Sequence, residues 1–280
     1  MDLKWWVHFG DDVELPNICD KNCLGCHDDF GSKNLKERFT DKRNDLFNQK
    51  GFNWFPPKWK FKKEWKLKIK KYFGTSDDPK FFLFTGRGDP LFYVPCIEAY
   101  MKVYKQLGYK GYAIIYTSGT QLTSSMINYL AKLGINELRF NLVATDFSQD
   151  TLAKMKAVKR KMKISVQIPL LSIYEKKLID VLPSLNNLGI TQLVLCYTHI
   201  FSQTGAEKLQ KGLPSPISVT KLTEELAIIN NPHMSDNIRG HIRKNKYKIR
   251  LVVEEPISPI KCRTTKKNKN SGSSWRISFD

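Results

Sequence analysis

The chain has 280 residues, a hydrophobic content of 41% and a formal net charge of +19. This length is enough to bury a full core, and the composition is ordinary for a soluble globular protein. No apolar run approaches a membrane span, and the N-terminus lacks a basic segment followed by an apolar one, so we expect no membrane anchor and no signal peptide. We therefore expect a cytoplasmic protein whose six cysteines are reduced.

The positive charge has two interpretations. It can attract a polyanion such as RNA, DNA or an acidic protein. It can also reflect a host proteome that uses Lys, Asn and Ile freely, because the chain is rich in all three. We favour the second interpretation.

Two segments near the N-terminus, Trp5–Phe9 and Val13–Pro16, can each form a short strand. A cysteine loop follows, Cys19-Asp20-Lys21-Asn22-Cys23-Leu24-Gly25-Cys26-His27, with the spacing C-x3-C-x2-C. Thiolates are soft ligands that suit iron–sulfur clusters or zinc.

Three thiolates would leave one corner of a four-iron cluster open, and an open iron can bind a substrate. A structural zinc site needs a fourth ligand, and His27 is adjacent to Cys26, so it could serve only in a strained geometry. Disulfides are disfavoured because the three cysteines of the loop are too close together to pair comfortably. The loop therefore favours a cluster, with zinc as the alternative.

Residues 30–79 form a basic insertion rich in aromatic residues. Pro56-Pro57 and Gly74 bracket a segment that predicts a helix. Its aromatic and lysine side chains suit a platform for nucleic-acid bases and phosphates, or an amphipathic helix that covers the rest of the fold. We favour the covering helix.

From residue 80 onward, strand-like and helix-like segments alternate at intervals of roughly thirty residues, which is typical of βαβ units and a parallel sheet. Together with a strand near the cysteine loop, the pattern predicts six strands, in a barrel or in a doubly wound sheet. The strand-like runs begin near Phe81, Tyr112, Glu137, Ile164 and Gln192, and the helix-like segments cover roughly residues 93–107, 121–133, 148–161 and 174–187.

Beyond residue 200 the pattern weakens. Residues 200–246 are irregular apart from a helix-like run from Val219 to Ile229, and residues 247–254 alternate as a strand would. The polar, basic segment of residues 264–274 predicts a mobile tail.

A second motif, Phe84-Thr85-Gly86-Arg87-Gly88-Asp89-Pro90-Leu91, lies at the end of the first clear strand. Gly86 and Gly88 would let the backbone approach a ligand closely, and Asp89 could accept hydrogen bonds from an ammonium group. A glycine turn with only a structural role is the alternative for this motif taken alone. In a parallel barrel, active sites lie at the carboxyl ends of the strands, where this motif is placed.

Together, the cysteine loop and the Gly-x-Gly-Asp-Pro segment resemble the radical S-adenosylmethionine (radical SAM) superfamily. The resemblance implies an α/β fold with a partial (β/α)6 TIM-like barrel. It covers about residues 13–200, so we expect a core of residues 1–200 that contains the insertion of residues 30–79, and a C-terminal extension of residues 201–280.

The resemblance also implies the cofactors, a [4Fe–4S] cluster and S-adenosylmethionine (SAM), and the residues that hold them. Cys19, Cys23 and Cys26 would ligate the cluster. The positions that match the superfamily's SAM contacts are Thr85, Gly86, Gly88, Asp89, Ser118, Asn141 and Gln167.

The implied reaction is reductive cleavage of SAM to a 5′-deoxyadenosyl radical that abstracts hydrogen from a peptide or small-molecule substrate. An electron donor such as flavodoxin or ferredoxin is implied as a partner. A glycyl-radical-enzyme activase, which Gly25-Cys26-His27 and Gly88-Asp89-Pro90-Leu91 resemble, and an RNA-modifying enzyme are alternatives. A zinc-stabilised nucleic-acid-binding module is the non-enzymatic alternative.

Overall fold

The structure is a computed structural model that describes residues 6–9, 21, 23, 81–85, 89–106, 111–200, 213, 218–223, 226–230, 232–255 and 276–277. The predicted helix of the basic insertion, the second N-terminal strand and the tail of residues 264–274 lie outside these residues. No helix among the described residues is long and apolar enough to cross a membrane.

The main sheet is parallel through its first seven strands. Its order is β1-β2-β3-β4-β5-β6-β10, and β11 is added antiparallel at the far edge. The strands are β1 Trp6–Phe9, β2 Phe81–Phe84, β3 Tyr112–Thr117, β4 Glu137–Phe140, β5 Lys163–Pro169, β6 Leu193–Cys196, β10 Leu251–Glu255 and β11 Arg276–Ile277.

The order of the strands distinguishes between the two architectures that the sequence allows. In a doubly wound sheet the strand order reverses at a switch point, whereas in a TIM-like barrel it follows the chain. Strands β1 to β6 pair in chain order without a reversal. This order confirms the predicted partial TIM-like barrel.

Helices connect the parallel strands as the sequence predicts. They are α1 Val94–Gln106, α2 Ser124–Leu133, α3 Gln149–Lys159 and α4 Glu175–Leu188, and a fifth helix, α5 Pro232–Lys244, precedes β10. Local sequence sets several of their ends: Thr123 and Ser148 accept hydrogen bonds from the first turns of α2 and α3. Gly134 (φ 96°) and Gly189 (φ 60°) end α2 and α4 in the left-handed region.

The hydrophobic core lies between the helices and one face of the sheet. Leu138, Phe140 and Val166 on the strands share it with Leu130 on α2 and Met155 on α3, and all five are fully buried. A residue of this kind contributes about 1.5–3 kcal/mol when it leaves water. This apolar contact holds each βα unit against its neighbours.

A second, smaller sheet corrects one prediction. The segment expected to form a helix from Val219 to Ile229 instead supplies two antiparallel strands, β8 Ser218–Thr223 and β9 Leu226–Asn230. Strand β9 also pairs with β7, Thr198–Ile200, so the order is β7-β9-β8. The prediction was wrong because the β-branched residues of this segment favour a pleated pairing, which β7 completes.

Helix α5 lies in a segment that the sequence analysis took as irregular. Met234, Ile238 and Ile242 recur at intervals of four and are all buried, so a single apolar stripe faces the core. The helix packs on α4, and Asn237 Nδ2 donates to Glu175 Oε1 at 2.7 Å.

The strand predicted over residues 247–254 is confirmed in part, because β10 begins only at Leu251. Residues 247–250 lead into it, and Lys248 N donates to Asn186 Oδ1 at the end of α4. Helix α5 and β10 thus extend the parallel sheet past β6. The division at residue 200 stays a prediction.

Candidate functional site

The carboxyl ends of the parallel strands bring three predicted SAM contacts into one row. Thr117, Phe140 and Val166 are aligned across β3, β4 and β5, so the residues that follow them, Ser118, Asn141 and Gln167, stand side by side. The backbone bond from Asn141 N to Thr117 O, 2.9 Å long, extends the ladder to this level. Residues far apart in sequence therefore meet at the edge where a parallel barrel places its ligand.

A fourth predicted contact, Asp89, is buried and heavily bonded. Its Oδ1 accepts from Leu91 N at 3.0 Å and from Thr117 Oγ1 at 2.9 Å. Its Oδ2 accepts from Ser118 N at 2.8 Å, from Ser118 Oγ at 2.6 Å and from Thr117 Oγ1 at 2.9 Å. This carboxylate links the end of β2 to the end of β3.

Burial raises the pKa of the Asp89 carboxyl, and the hydrogen bonds from Ser118, Leu91 and Thr117 oppose that rise. The surrounding groups are amide and hydroxyl hydrogens, which an ionised carboxylate accepts and a protonated one accepts less well. The arrangement of donors therefore fits a negative charge at this edge of the sheet.

The conformation of the turn after β3 is fixed by a glycine and by hydrogen bonds within the turn. Gly119 has φ +79°, and a Cβ there would lie 2.8 Å from Phe140 Cε1. Gly119 N donates to Thr117 Oγ1 at 2.9 Å, and Leu122 N donates to Gly119 O at 3.2 Å. A glycine is required here because both the backbone conformation and the adjacent ring exclude a side chain.

The other two members of the row, Asn141 and Gln167, differ in the hydrogen bonding of their side chains. Asn141 Oδ1 accepts from Val143 N at 3.2 Å and caps the short 3-10 helix Leu142–Thr145. Gln167 Oε1 is buried and has no hydrogen-bond partner among the described residues. A buried carbonyl oxygen without a donor is costly, so its presence at this edge is compatible with a ligand that donates to it.

The face of the sheet opposite the helices carries a polar cluster. Because side chains alternate along a strand, Glu137 and Arg139 point away from Leu138 and Phe140, toward the inside of the partial barrel. Their side chains form a buried ion pair at 3.3 Å.

Neighbouring strands complete this cluster. Arg139 Nη1 donates to Tyr116 Oη at 2.6 Å, and Arg139 Nε donates to Ser165 Oγ at 3.1 Å. Glu137 accepts from Ser165 Oγ and from Tyr112 Oη. The cluster ties β3, β4 and β5 together two to six residues before the row of Ser118, Asn141 and Gln167.

One cysteine of the predicted cluster loop can be placed relative to this edge. Burial first, and then electrostatic interaction with Cys23 and Asp146, raise the pKa of the Tyr174 hydroxyl, so Cys23 is within electrostatic range of Tyr174. Tyr174 belongs to the loop between β5 and α4, and its ring lies 6.4 Å from that of Phe147 in the loop after β4. Both loops leave the carboxyl ends of strands, so Tyr174, with which half-buried Cys23 interacts, lies at the same end of the sheet as the polar row.

Phe147 adopts φ +58° and the preceding Asp146 φ +50°. A left-handed phenylalanine is rare and costs roughly 1–3 kcal/mol, so surrounding contacts must hold it. Its buried packing against Tyr174 supplies that contact.

Of the other predicted site residues, Thr85 is half-buried directly after β2. Cys19, Cys26, Gly86 and Gly88 lie outside the described residues. The sequence analysis missed Thr117, Tyr174 and the pair Glu137–Arg139. A Glu-x-Arg pair in an otherwise apolar strand was a signal for the last of these, since buried charges in a strand need partners.

Comparison with known proteins is informative at the level of structure. No protein-family model matches the chain, and no curated protein sequence matches it. Among solved structures, Streptococcus suis SuiB bound to S-adenosylmethionine matches 90% of the chain with a TM-score of 0.54 and 11% identity. SuiB bound to the precursor peptide SuiA matches with a TM-score of 0.55 and 13% identity.

Spore photoproduct lyase complexed with dinucleoside spore photoproduct matches 84% of the chain and 73% of its own, with a TM-score of 0.50 and 13% identity. The chain spans about half the length of SuiB, 50% and 49% in the two structures. At these identities the likeness is one of fold. The chain therefore has the partial TIM-like barrel of SuiB and spore photoproduct lyase, as the order of its parallel strands indicates.

Proposed function

We propose that this protein is a radical SAM enzyme. The observation that carries the proposal is the convergence of two separate sequence signals on one edge of the sheet. Cys23 of the C-x3-C-x2-C loop interacts electrostatically with Tyr174, and the predicted SAM contacts Ser118, Asn141 and Gln167 form a row at the same end of the sheet as Tyr174. The fold shared with SuiB and spore photoproduct lyase supports it.

Cys19, Cys23 and Cys26 would hold the cluster. Three soft thiolates suit three corners of a [4Fe–4S] cluster and leave one iron for SAM. When bound, the cluster supplies the electron and the open iron with which SAM is cleaved to methionine and a 5′-deoxyadenosyl radical. The cysteine ligand set fits that group, and the fully buried or half-buried strand ends beside it would keep water from a reactive site.

The strand-end residues would bind and orient SAM. Thr85, Gly86 and Gly88 would supply backbone groups, and a negative charge on the buried Asp89 carboxyl would favour a cationic ligand nearby. Gln167 Oε1, which is without a protein donor, can accept from a ligand N–H or O–H group. Ser118 and Asn141 complete the predicted contacts.

For the substrate, we favour a peptide or a small molecule. The support is that SuiB, which has this fold, has been captured with its precursor peptide SuiA. The buried polar cluster of Glu137, Arg139, Ser165 and Tyr116 gives the inside of the barrel a polar wall for such a substrate. An electron donor such as flavodoxin or ferredoxin would complete the reaction.

A nucleic-acid substrate is the second candidate, favoured by one comparison and by the net charge. Spore photoproduct lyase with this fold binds a dinucleoside photoproduct, and this chain carries a charge of +19. If RNA is the substrate, its binding will weaken steeply with salt, because each phosphate contact releases counterions. Replacing Lys62, Lys66 and Lys70 of the basic insertion by Glu would then abolish RNA binding. If the insertion instead forms a helix that covers the fold, RNA binding should be near background in the wild type and in the variant.

The proposed function is tested by anaerobic reconstitution with iron and sulfide, followed by iron analysis and SAM turnover. We expect about four irons per chain, the stoichiometry of a [4Fe–4S] cluster, and formation of 5′-deoxyadenosine and methionine after reduction. Cys19→Ala, Cys23→Ala and Cys26→Ala should each lose the cluster and all turnover.

Cys196→Ala is the matched control. Cys196 is buried at the end of β6, where its thiol donates to Ile168 O, so its replacement should leave the iron content unchanged. Stoichiometric zinc without iron in the reconstituted wild-type protein would contradict the proposal and favour the zinc-stabilised module.

A further inference from the structure

Asp89 connects the short 3-10 helix Pro90–Tyr93 to the turn after β3. It follows the Gly86–Gly88 segment directly, and its carboxylate bonds only to groups on its own turn and on the turn after β3 among the contacts the structure describes. With 3% of its surface exposed, it is as buried as the apolar core. Its position is that of a clamp between neighbouring strand ends.

The hydrogen-bonding capacity of the carboxylate is taken up by the protein. An ionised carboxylate offers about four lone-pair sites. Four hydrogens of the protein meet them: those of Leu91 N, Thr117 Oγ1, Ser118 N and Ser118 Oγ. An ammonium group could bond to Asp89 only by displacing one of these donors.

Within this network the direction of one further bond can be assigned. Ser118 Oγ lies 2.6 Å from Asp89 and 2.9 Å from Thr120 Oγ1. Because the single hydroxyl hydrogen of Ser118 is directed at the carboxylate, the hydroxyl of Thr120 must donate to Ser118 Oγ. The charge of Asp89 therefore orients two hydroxyls in sequence along the turn.

The turn that Asp89 holds is the beginning of the row of predicted SAM contacts. Ser118 is aligned with Asn141 and Gln167, and Thr117 O accepts from Asn141 N at 2.9 Å. A shift of the turn would therefore move Ser118 relative to Asn141 and Gln167. Sites that bind through several convergent groups lose affinity when such supports are removed, by 10–100-fold in metal sites.

We propose that Asp89 is a positioning residue, which clamps the short 3-10 helix Pro90–Tyr93 to the Thr117–Thr120 turn, rather than the ligand of the SAM amino group. The proposal rests on the proposed function, because the site it positions is the predicted SAM site. In this role Asp89 affects SAM binding by holding Thr117 and Ser118 in place. A direct ligand of SAM would not need its bonds to those two residues.

The experiment is a double-mutant cycle between Asp89→Asn and Thr117→Val, measured as SAM affinity of the reconstituted enzyme. Thr117 is a suitable partner because it donates to Asp89 and is not itself a predicted SAM contact. Valine keeps its shape and removes the hydroxyl. Iron content and melting temperature are measured on the same preparations, with exposed Asp180→Asn as the matched control for loss of a carboxylate.

We expect Asp89→Asn to weaken SAM binding about 10–100-fold and Thr117→Val about 3–10-fold, with iron content unchanged in both. The double variant should bind SAM about as weakly as Asp89→Asn alone, since both changes disable the same clamp. Asp180→Asn should change neither affinity nor iron content.

Two outcomes would overturn the positioning role. One is unchanged SAM affinity in Asp89→Asn. The other is a large loss in Asp89→Asn with no effect of Thr117→Val, which would make Asp89 a direct ligand. If Asp89→Asn does not fold, Thr117→Val alone decides, since a neutral effect on SAM affinity contradicts the clamp. A wild-type enzyme that holds no iron and binds no SAM would instead contradict the proposed function itself.

Discussion

The two faces of the barrel sheet differ in the polarity of their side chains, and the four residues of β4 contribute to both faces. Leu138 and Phe140 face the helices and share the apolar core, whereas Glu137 and Arg139 face the inside of the barrel in a buried polar cluster. All four side chains are almost fully buried. The difference between the faces is therefore one of chemistry and does not reflect solvent exposure.

The comparison shows which face gains stability simply from burial and which depends on paired polar groups. Burying apolar groups is favourable in itself, but a buried ion pair seldom repays the cost of desolvating its charges. A polar inner face in a well-packed fold therefore indicates that the chain retains these groups for another purpose. The proposed function gives such a purpose, a polar wall beside the SAM site.

The largest expected effect comes from breaking the buried ion pair on one side. Glu137→Met removes the buried carboxylate that pairs with Arg139 and should lower the free energy of unfolding by about 3–5 kcal/mol. The double change Glu137→Met and Arg139→Met should recover at least half of that loss, because no unpaired charge remains. Urea denaturation measures both, and a double variant no more stable than the single one would mean that the pair is needed for the fold.

Shortening a side chain on the apolar face should lower the free energy of unfolding nearly as much but leave SAM binding unchanged. Leu138→Ala removes a fully buried side chain and should lower the free energy of unfolding by about 2–5 kcal/mol. SAM affinity of the folded enzyme should stay at the wild-type value. Asn128→Ala, on the exposed face of α2, is the control and should stay within about 0.5 kcal/mol. A loss of SAM affinity in Leu138→Ala would show that the apolar face also supports the SAM site.

Glycine substitutions test how tightly the turn beside the row is specified. Gly119→Ala places a Cβ 2.8 Å from the Phe140 ring at φ +79° and should cost about 1–3 kcal/mol. Gly240→Ala is the matched control, because Gly240 lies inside α5 with open space around it. That substitution should stabilise the protein by about 0.5–1 kcal/mol. Equal melting temperatures for the two variants would contradict the role assigned to Gly119.

The smallest expected change in stability concerns Gln167. Its buried Oε1 has no protein donor, so Gln167→Met should leave the free energy of unfolding unchanged or raise it by up to about 1 kcal/mol. If the oxygen accepts from SAM, the affinity for SAM should fall about 3–10-fold, the equivalent of one hydrogen bond. Stability gained with SAM affinity intact would show that Gln167 is not a ligand of SAM.

Local signals in the sequence were sufficient for the repeating part of the fold. Helices α2 and α4 end where Gly134 and Gly189 allow a left-handed residue, and the strands between them are short apolar runs. The run from Val219 to Ile229 has no such unambiguous signal, and there the predicted helix was wrong. Pairing with β7, which lies in a different part of the chain, decided its conformation.

The sequence by itself determined the cysteine spacing, the glycine segment and the alternation of strand and helix, because each depends on neighbours within a few residues. Only the tertiary structure decided that Ser118, Asn141 and Gln167 share a row, since that depends on the register of three strands. It also decided that the Asp89 carboxylate bonds to Thr117 and Ser118, which are about thirty residues away. Hydrogen bonds are short and directional, so their partners are known only once the strands have been aligned.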